Sequence, residues 1–514
     1  MDFSGSVFEV PAAFNQARFT GPASFSNCTF HQEVDFNHAA FEDRVSFEGS
    51  NFYGQADFVA SDFKYLGDFG SCTFKNIVRF SASRFRVVAV FRSARFDADV
   101  FFSQSRFEQH ARFTGAIFGA AAGFEECTFS QLTEFDSVNF AGACRFNGSV
   151  FESSAELGPL RCSSQLDLSH CIFKSPITIT ATSESVKCER ARWESAAALR
   201  LRHSKLDLTD AVLNFPVAVT SQGGQFSLNP ARIERPELRV TSLRGIDCSL
   251  LTLSDVDFTL CQFQGAIHLD QLRIEGQHSF GYPPRKRRWV RGFPFKWAQR
   301  QVIFEEMYWR GQPERASSLR SGWPSYRERI SRRPDLSNLV VIYRQLRKAR
   351  EDAKDEPGAA DFYYGEMEMR RHGRKWGEAE RWLLQAYWLL SGYGLRASRA
   401  LGWLALAMMT TVLLMMGFGL PQDSPKQEAT GTVPPGGGKV TFEIDKENPQ
   451  NPTSDRFTST RFEKALNVTL NSTVFRSSGQ DLTTAGGYIE MASRFSEPVL
   501  LGLAVLAIRG RVKR

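Results

Sequence analysis

A β-solenoid is the fold class this sequence predicts for its first half, and two observations predict it. Phenylalanine recurs at alternating steps of five and six from Phe3 to Phe151, beginning Phe3, Phe8, Phe14, Phe19, Phe25 and Phe30. Such steps walk around a 3.6-residue helix, so no helix could hold them on one face. A second register accompanies the first: two residues before almost every Phe sits a small side chain, among them Ala12, Ala17, Ala23, Cys28, Val34, Ala39, Val45 and Ser50. Residues i and i−2 of an extended segment point to the same side. Both registers therefore face one interior, and the unit is an 11-residue repeat that buries its apolar face only by stacking on its neighbours.

These paired registers resemble the pentapeptide-repeat family over roughly residues 3 to 180. The resemblance implies a right-handed, quadrilateral β-helix filled by a central Phe or Leu and by the small residue two places earlier. The sequence departs from the family pattern by one extra residue on alternate sides, so that two sides take 11 residues and a coil about 22. The extra residue is read as a longer corner every second side. Beyond Phe151 the beat continues through Leu157, Cys162, Leu168, Phe173 and Ile179 and passes into alternating Leu-rich strands, which extends the predicted β-helix over residues 1–275.

Some members of that family are acidic rods that mimic DNA and bind DNA gyrase. Mimicry needs carboxylates at the density of duplex phosphate, about one per 1.7 Å of axis. Residues 1–150 hold 17 Asp and Glu against 12 Lys and Arg, a net of −5. That is too dilute, so no nucleic-acid partner is expected. With a formal charge of +7 for the chain, the remainder carries +12, as suits a mildly acidic body joined to a basic, membrane-facing tail.

Nine cysteines are present, and Cys28, Cys72, Cys127, Cys144 and Cys171 fall on the inward small-residue register. With no CxxC pair they read as core filler rather than disulfides or metal ligands. No basic stretch and apolar run opens the chain, so the repeat domain is expected in a reducing cytoplasm. His31 and His38 lie off the inward register and read as solvated. Without a Walker loop, dinucleotide fingerprint, HExxH or nucleophile elbow, no enzyme activity, cofactor or metal is predicted.

A basic linker and helical domain is expected over residues 276–395. It opens with the Pro-broken YPPRKRRWVRGFP and continues with helix-like text at 297–310. A helical hairpin then follows, 338–353 and 359–372, broken at KDEPG. Residues 378–394, with Trp382, Leu383, Tyr387, Trp388 and Leu390, read as a helix at a bilayer interface or packed within the helical domain.

Residues 396–514 read as a membrane domain. The stretch 400–420 is uncharged over 21 positions, enough at about 1.5 Å per residue to cross about 30 Å of hydrocarbon. Arg396 and Arg399 precede it, which places its start in the cytoplasm. An external loop follows at 421–460, then an amphipathic segment at 461–475 and a second span at 488–508 ending in Arg509, Arg511, Lys513 and Arg514. Both termini are thus expected inside a bacterial plasma membrane.

This order is similar to the two-helix pore module of potassium-channel-type proteins, with 461–475 in the place of the pore helix. The resemblance implies a filter-like turn at Ser477, Ser478, Gly479, Gln480 and Asp481. No TVGYG is present there, so carbonyl sites for dehydrated potassium are not expected. Glu490, Arg494 and Glu497 recur at i, i+4 and i+7 as a charged stripe facing a pore or another helix. The GYG at Gly392-Tyr393-Gly394 precedes the first span and cannot be a filter. The expected function is a bilayer-anchored scaffold whose rod binds a protein partner of unknown identity. The alternative is a channel-like homo-oligomer built through the membrane domain.

Overall fold

The structure, a computed structural model, describes residues 1–221, 238–284, 300–312, 323, 334–422, 427–431, 442–446, 449–452, 455–474 and 481–512. It divides into two compact units, Met1–Glu366 and Met367–Arg514.

The first unit is a β-solenoid of about 12 turns followed by helices. Each side contributes a two-residue strand, such as Val7–Phe8, Ala12–Ala13, Arg18–Phe19 and Ala23–Ser24. Every one pairs in parallel with its equivalent 22 residues on, as Val7 with Thr29, Ala12 with Val34, Arg18 with Ala40 and Ala23 with Val45. Four ladders result, one per side. Inside, the Phe rings stack in columns: Phe3, Phe25, Phe47 and Phe69 lie 4.9 to 5.0 Å apart between centroids. Rings of adjacent columns meet edge to face, as Phe25 and Phe36 do at 5.4 Å.

The small register beside each ring carries its own hydrogen bonds. Ser50 Oγ donates to the Phe25 carbonyl at 2.6 Å, and Cys72 Sγ to that of Phe47 at 2.9 Å. A buried hydroxyl or thiol is tolerated because the coil before supplies its acceptor. All nine cysteines are buried and free, and burial pushes the Cys162 and Cys248 thiols up to about 12.

The longer corners are left-handed. Gln16, Asn27, His38, Ala60, Ser71 and Ala82 have φ between 54° and 60°, and Gly5 and Gly49 occupy the same register. Each is the third residue of a turn closed by an N–H to C=O bond from the fourth residue to the first, as Ala17 to Phe14 at 3.0 Å, the pattern of a type II turn. From Phe173 onward the coil shortens to 20 residues, as Ile172 pairs with Arg192 and Arg192 with Val212. One left-handed corner per coil persists, at His170, Arg190 and Asp210. The other is replaced by the continuous strands Glu156–Asp167 and Ile177–Lys187.

Helix α1 (Phe304–Arg310), helix α2 (Leu336–Asp352) and the start of helix α3 (Glu356–Gly373) belong to this first unit. The Pro357-Gly358 pair, expected as a break, lies in the first turn of α3. Asp355 caps that turn by accepting the Gly358 N–H at 3.1 Å, and proline's missing donor costs nothing where N–H groups are unpaired anyway. Phe280 of the last coil stacks on Phe258 at 5.0 Å and meets Phe362 of α3 edge-on at 5.0 Å. Arg350 of α2 lies over both Phe280 and Phe362, 5.0 and 5.6 Å from the ring centres.

The second unit holds helix α4 (Ala379–Ser391), helix α5 (Ala397–Leu414, continued by a π turn at Met415–Gly419), helix α6 (Ser459–Val474) and helix α7 (Thr484–Val512). Within the loop expected at 421–460, strands Gln427–Gly431 and Phe442–Lys446 form an antiparallel ribbon.

Candidate functional site

The second unit is built around the packing of α5 on α7. Small residues permit a close approach: Ala400 on α5 and Ala504 and Ala507 on α7 are buried. At the end of α5 the fit is tighter still. A side chain added at Gly486 would stand 2.3 Å from the Gly419 carbonyl oxygen. Thr483 Oγ1 donates to the Phe418 carbonyl at 2.7 Å. Val412, Met415, Met416 and Leu420 form one cluster with Ala465 and Val468 of α6.

The open carbonyls at the end of α5 are gathered by one side chain. Arg461 of α6 donates to the carbonyls of Met416, Leu420 and Pro421 at 2.8 to 3.0 Å. A cation there satisfies acceptors that a helix end leaves unpaired and complements its dipole. Residues 461–475 were singled out as an amphipathic pore-helix segment. In the structure α6 holds the end of α5 through this residue.

The three charged residues of the predicted stripe have different surroundings. Glu490 and Arg494 pair with each other at 2.7 Å, one helical turn apart. Glu497 is fully buried and accepts a hydrogen bond from Thr411 Oγ1 of α5 at 2.8 Å. Pro498 follows it inside α7. Of the filter-like turn, Ser477, Ser478, Gly479 and Gln480 lie outside the described residues, and Asp481 is exposed just before α7. The GYG decoy is the C-cap of α4: Gly392 is left-handed, and its N–H and that of Tyr393 bond back to Trp388 and Tyr387.

A second polar cluster, which the sequence reading missed, sits at the end of the solenoid. Glu305 and Glu306 of α1 are both buried. The Phe263 N–H donates to the Glu305 carboxylate, so α1 covers part of the open edge of the last coil. Burial pushes the Glu305 carboxyl up to about 7. Burial also acts on Glu306, but Arg300 and Arg310 outweigh it and hold that carboxyl below its ordinary value. Arg310 Nε donates to Glu306 at 2.7 Å, and the Tyr343 hydroxyl donates to it as well. The signal was the Glu-Glu pair inside an otherwise apolar helical stretch, IFEEMYW. Among the described residues no group of three or more His, Cys, Asp or Glu converges as a metal site.

The solenoid exterior is polar and cross-linked between coils. Glu42 receives Arg18 and Lys64 at 2.6 and 3.0 Å, Asp62 receives Arg86 at 2.8 Å, and Asp97 receives Lys75 at 2.7 Å. Opposite charges are thus paired along the ladders, in keeping with the dilute net charge of this segment.

A family model described as pentapeptide repeats, in nine copies, matches residues 2–39, 14–62 and 69–117. Comparison with curated proteins and with solved structures gives no significant match.

Proposed function

Residues 2–117 place this chain in the pentapeptide-repeat family, and from that premise we propose that it is a bilayer-anchored scaffold whose β-solenoid offers a docking surface to a protein partner. One observation carries the anchor. Helices Ala397–Gly419 and Thr484–Arg509 are long and apolar, yet only 33% and 28% of their apolar windows are buried. A core helix of a water-soluble protein would be mostly covered. Instead Leu406, Met409, Leu413 and Phe418 on one helix, and Phe495, Val505 and Leu506 on the other, stand exposed, as lipid contact requires. Large contiguous apolar surface of this kind marks a membrane or partner site.

The scaffold part rests on the regular outer ladders of the solenoid, which present repeating side chains at fixed spacing. The polar residues within the two helices support an anchor over a conducting path. Glu490 and Arg494 neutralise each other, and Glu497 is engaged by Thr411 of the same chain. Arginines flanking both spans favour a cytoplasmic solenoid and C-terminus.

The test is topological. Cysteines introduced as Ser4→Cys and Arg511→Cys should react with an impermeant thiol reagent only after the membrane is opened. The protein should stay with the membrane through alkaline washing. Release by that washing, or labelling of residue 511 from outside, would overturn the two-span reading.

A further inference from the structure

Helix α4 is amphipathic in an inverted sense. Leu384 is buried, Gln385 accepts a hydrogen bond from Arg371 at 2.7 Å, and Arg371 lies over the Trp388 ring at 4.6 Å. The opposite side carries Trp382, Leu383, Ala386 and Leu389, which recur at helical spacing and are all exposed. Trp382 is 60% and Leu383 68% exposed. Trp376 stands beside them, also exposed. It packs edge-on against Trp382 at 5.8 Å, accepts the Trp382 indole N–H on its carbonyl at 3.0 Å, and carries the Arg381 guanidinium 4.0 Å over its ring.

The stripe is continuous with the exposed surface of the first span. Trp403 of α5 donates its indole N–H to the Leu389 carbonyl at 3.1 Å, and Arg399 donates to that of Trp388 at 3.0 Å. The start of α5 is thereby tied to the end of α4. Residues 367–399 also hold seven Arg and Lys against three Glu, a net of +4. An apolar stripe with indoles and flanking cations is what the headgroup zone of a bilayer selects.

We propose that α4 lies in the bilayer interface, its Trp382, Leu383 and Leu389 in the acyl boundary and its flanking cations on anionic lipid headgroups. The inference rests on the anchor reading and adds the lipid surface that the segment before the first span recognises. Charge complementarity and continuity with the lipid-facing side of α5 single out this occupant over a second protein.

The experiment uses the full chain in vesicles of phosphatidylcholine with phosphatidylglycerol. Leu383→Cys, Leu389→Cys and Leu406→Cys each receive a nitroxide, and collision with oxygen is compared with collision with a water-soluble nickel chelate. The parent chain, whose nine cysteines are buried, serves as the labelling background. Positions 383 and 389 should favour oxygen at a shallow depth, and position 406 at a greater one. Water-like values at 383 and 389 with lipid-like values at 406 would sink the interfacial helix and leave the anchor standing, whereas water-like values at all three would sink the anchor itself. Spin-labelled phosphatidylglycerol should be retained over the phosphatidylcholine analogue, and Arg374→Gln with Lys375→Gln and Arg381→Gln should abolish that preference. Equal retention of both lipids by the parent would overturn the anionic headgroup assignment.

Discussion

At the left-handed corners of the solenoid, residue type decides how much strain a coil carries. Ala60 has φ 55° and is held there by its N–H bond to Ser81 of the next coil at 2.9 Å. An L-residue in this region costs about 1 to 2 kcal/mol, while glycine gives back about 0.5 to 1 kcal/mol through its freer unfolded chain. Ala60→Gly should therefore raise stability by up to about 1 kcal/mol. Ala60→Val should lower it, since a β-branched residue is a true outlier at positive φ. Urea unfolding of both variants checks the pair, and a gain for valine would refute the strain argument. The Phe and small-residue registers were legible because only those volumes fill the interior. The extra residue of each longer corner was legible too, as a step of six. Its left-handed backbone was not, because Gln16, His38 and Glu126 serve there as well as Gly49, and no single side chain marks the conformation.

Among the elements, α1 shows how a short helix can be decisive. It runs only seven residues, yet it brings Glu305 to the Phe263 N–H at the edge of the last coil. An uncovered edge would leave backbone donors exposed to pairing with other chains. The Glu305 carboxyl stands at about 7 in the fold against an ordinary 4.5, so the folded state holds this proton more tightly than the unfolded chain. Its contribution is fullest below about 4.5 and is lost as pH rises toward about 7, by up to about 3 kcal/mol. His278, pushed below its ordinary value by burial and by Arg350, acts in the opposite sense, so the informative quantity is the difference between two proteins. Between pH 5 and 8 the wild type should lose stability relative to Glu305→Gln, measured by denaturant unfolding at each pH. Parallel curves would remove the buried carboxyl from the account. Periodicity revealed a helical stretch here but not its role, because the partner of Glu305 lies 42 residues earlier. The shortening of the coil to 20 residues was hidden for a related reason: continuous strands replace a corner without changing the alternation of inward residues.

For the whole molecule, the division of charge and hydropathy was the legible part: a mildly acidic repeat domain, a basic middle and two apolar stretches. Less legible was the use made of the polar residues in those stretches, since Thr411 and Glu497 are 86 residues apart in sequence. That contact bears on whether the protein conducts. A carboxylate held in a membrane segment is costly unless paired, and removing one partner of a buried polar pair is more damaging than replacing both. If Glu497 serves to join α7 to α5, Glu497→Gln keeps an acceptor for the Thr411 hydroxyl and should insert normally, whereas Glu497→Leu should weaken the helix pair and lower the yield of folded protein in detergent. Two helices from one chain cannot enclose an aqueous path, so planar-bilayer recordings of the purified protein should be silent, and Glu490→Gln and Glu497→Gln should leave them silent. Cation-permeable events from an oligomer, altered in conductance by these two substitutions, would instead assign Glu490 and Glu497 to the wall of a pore and replace the anchor by a channel.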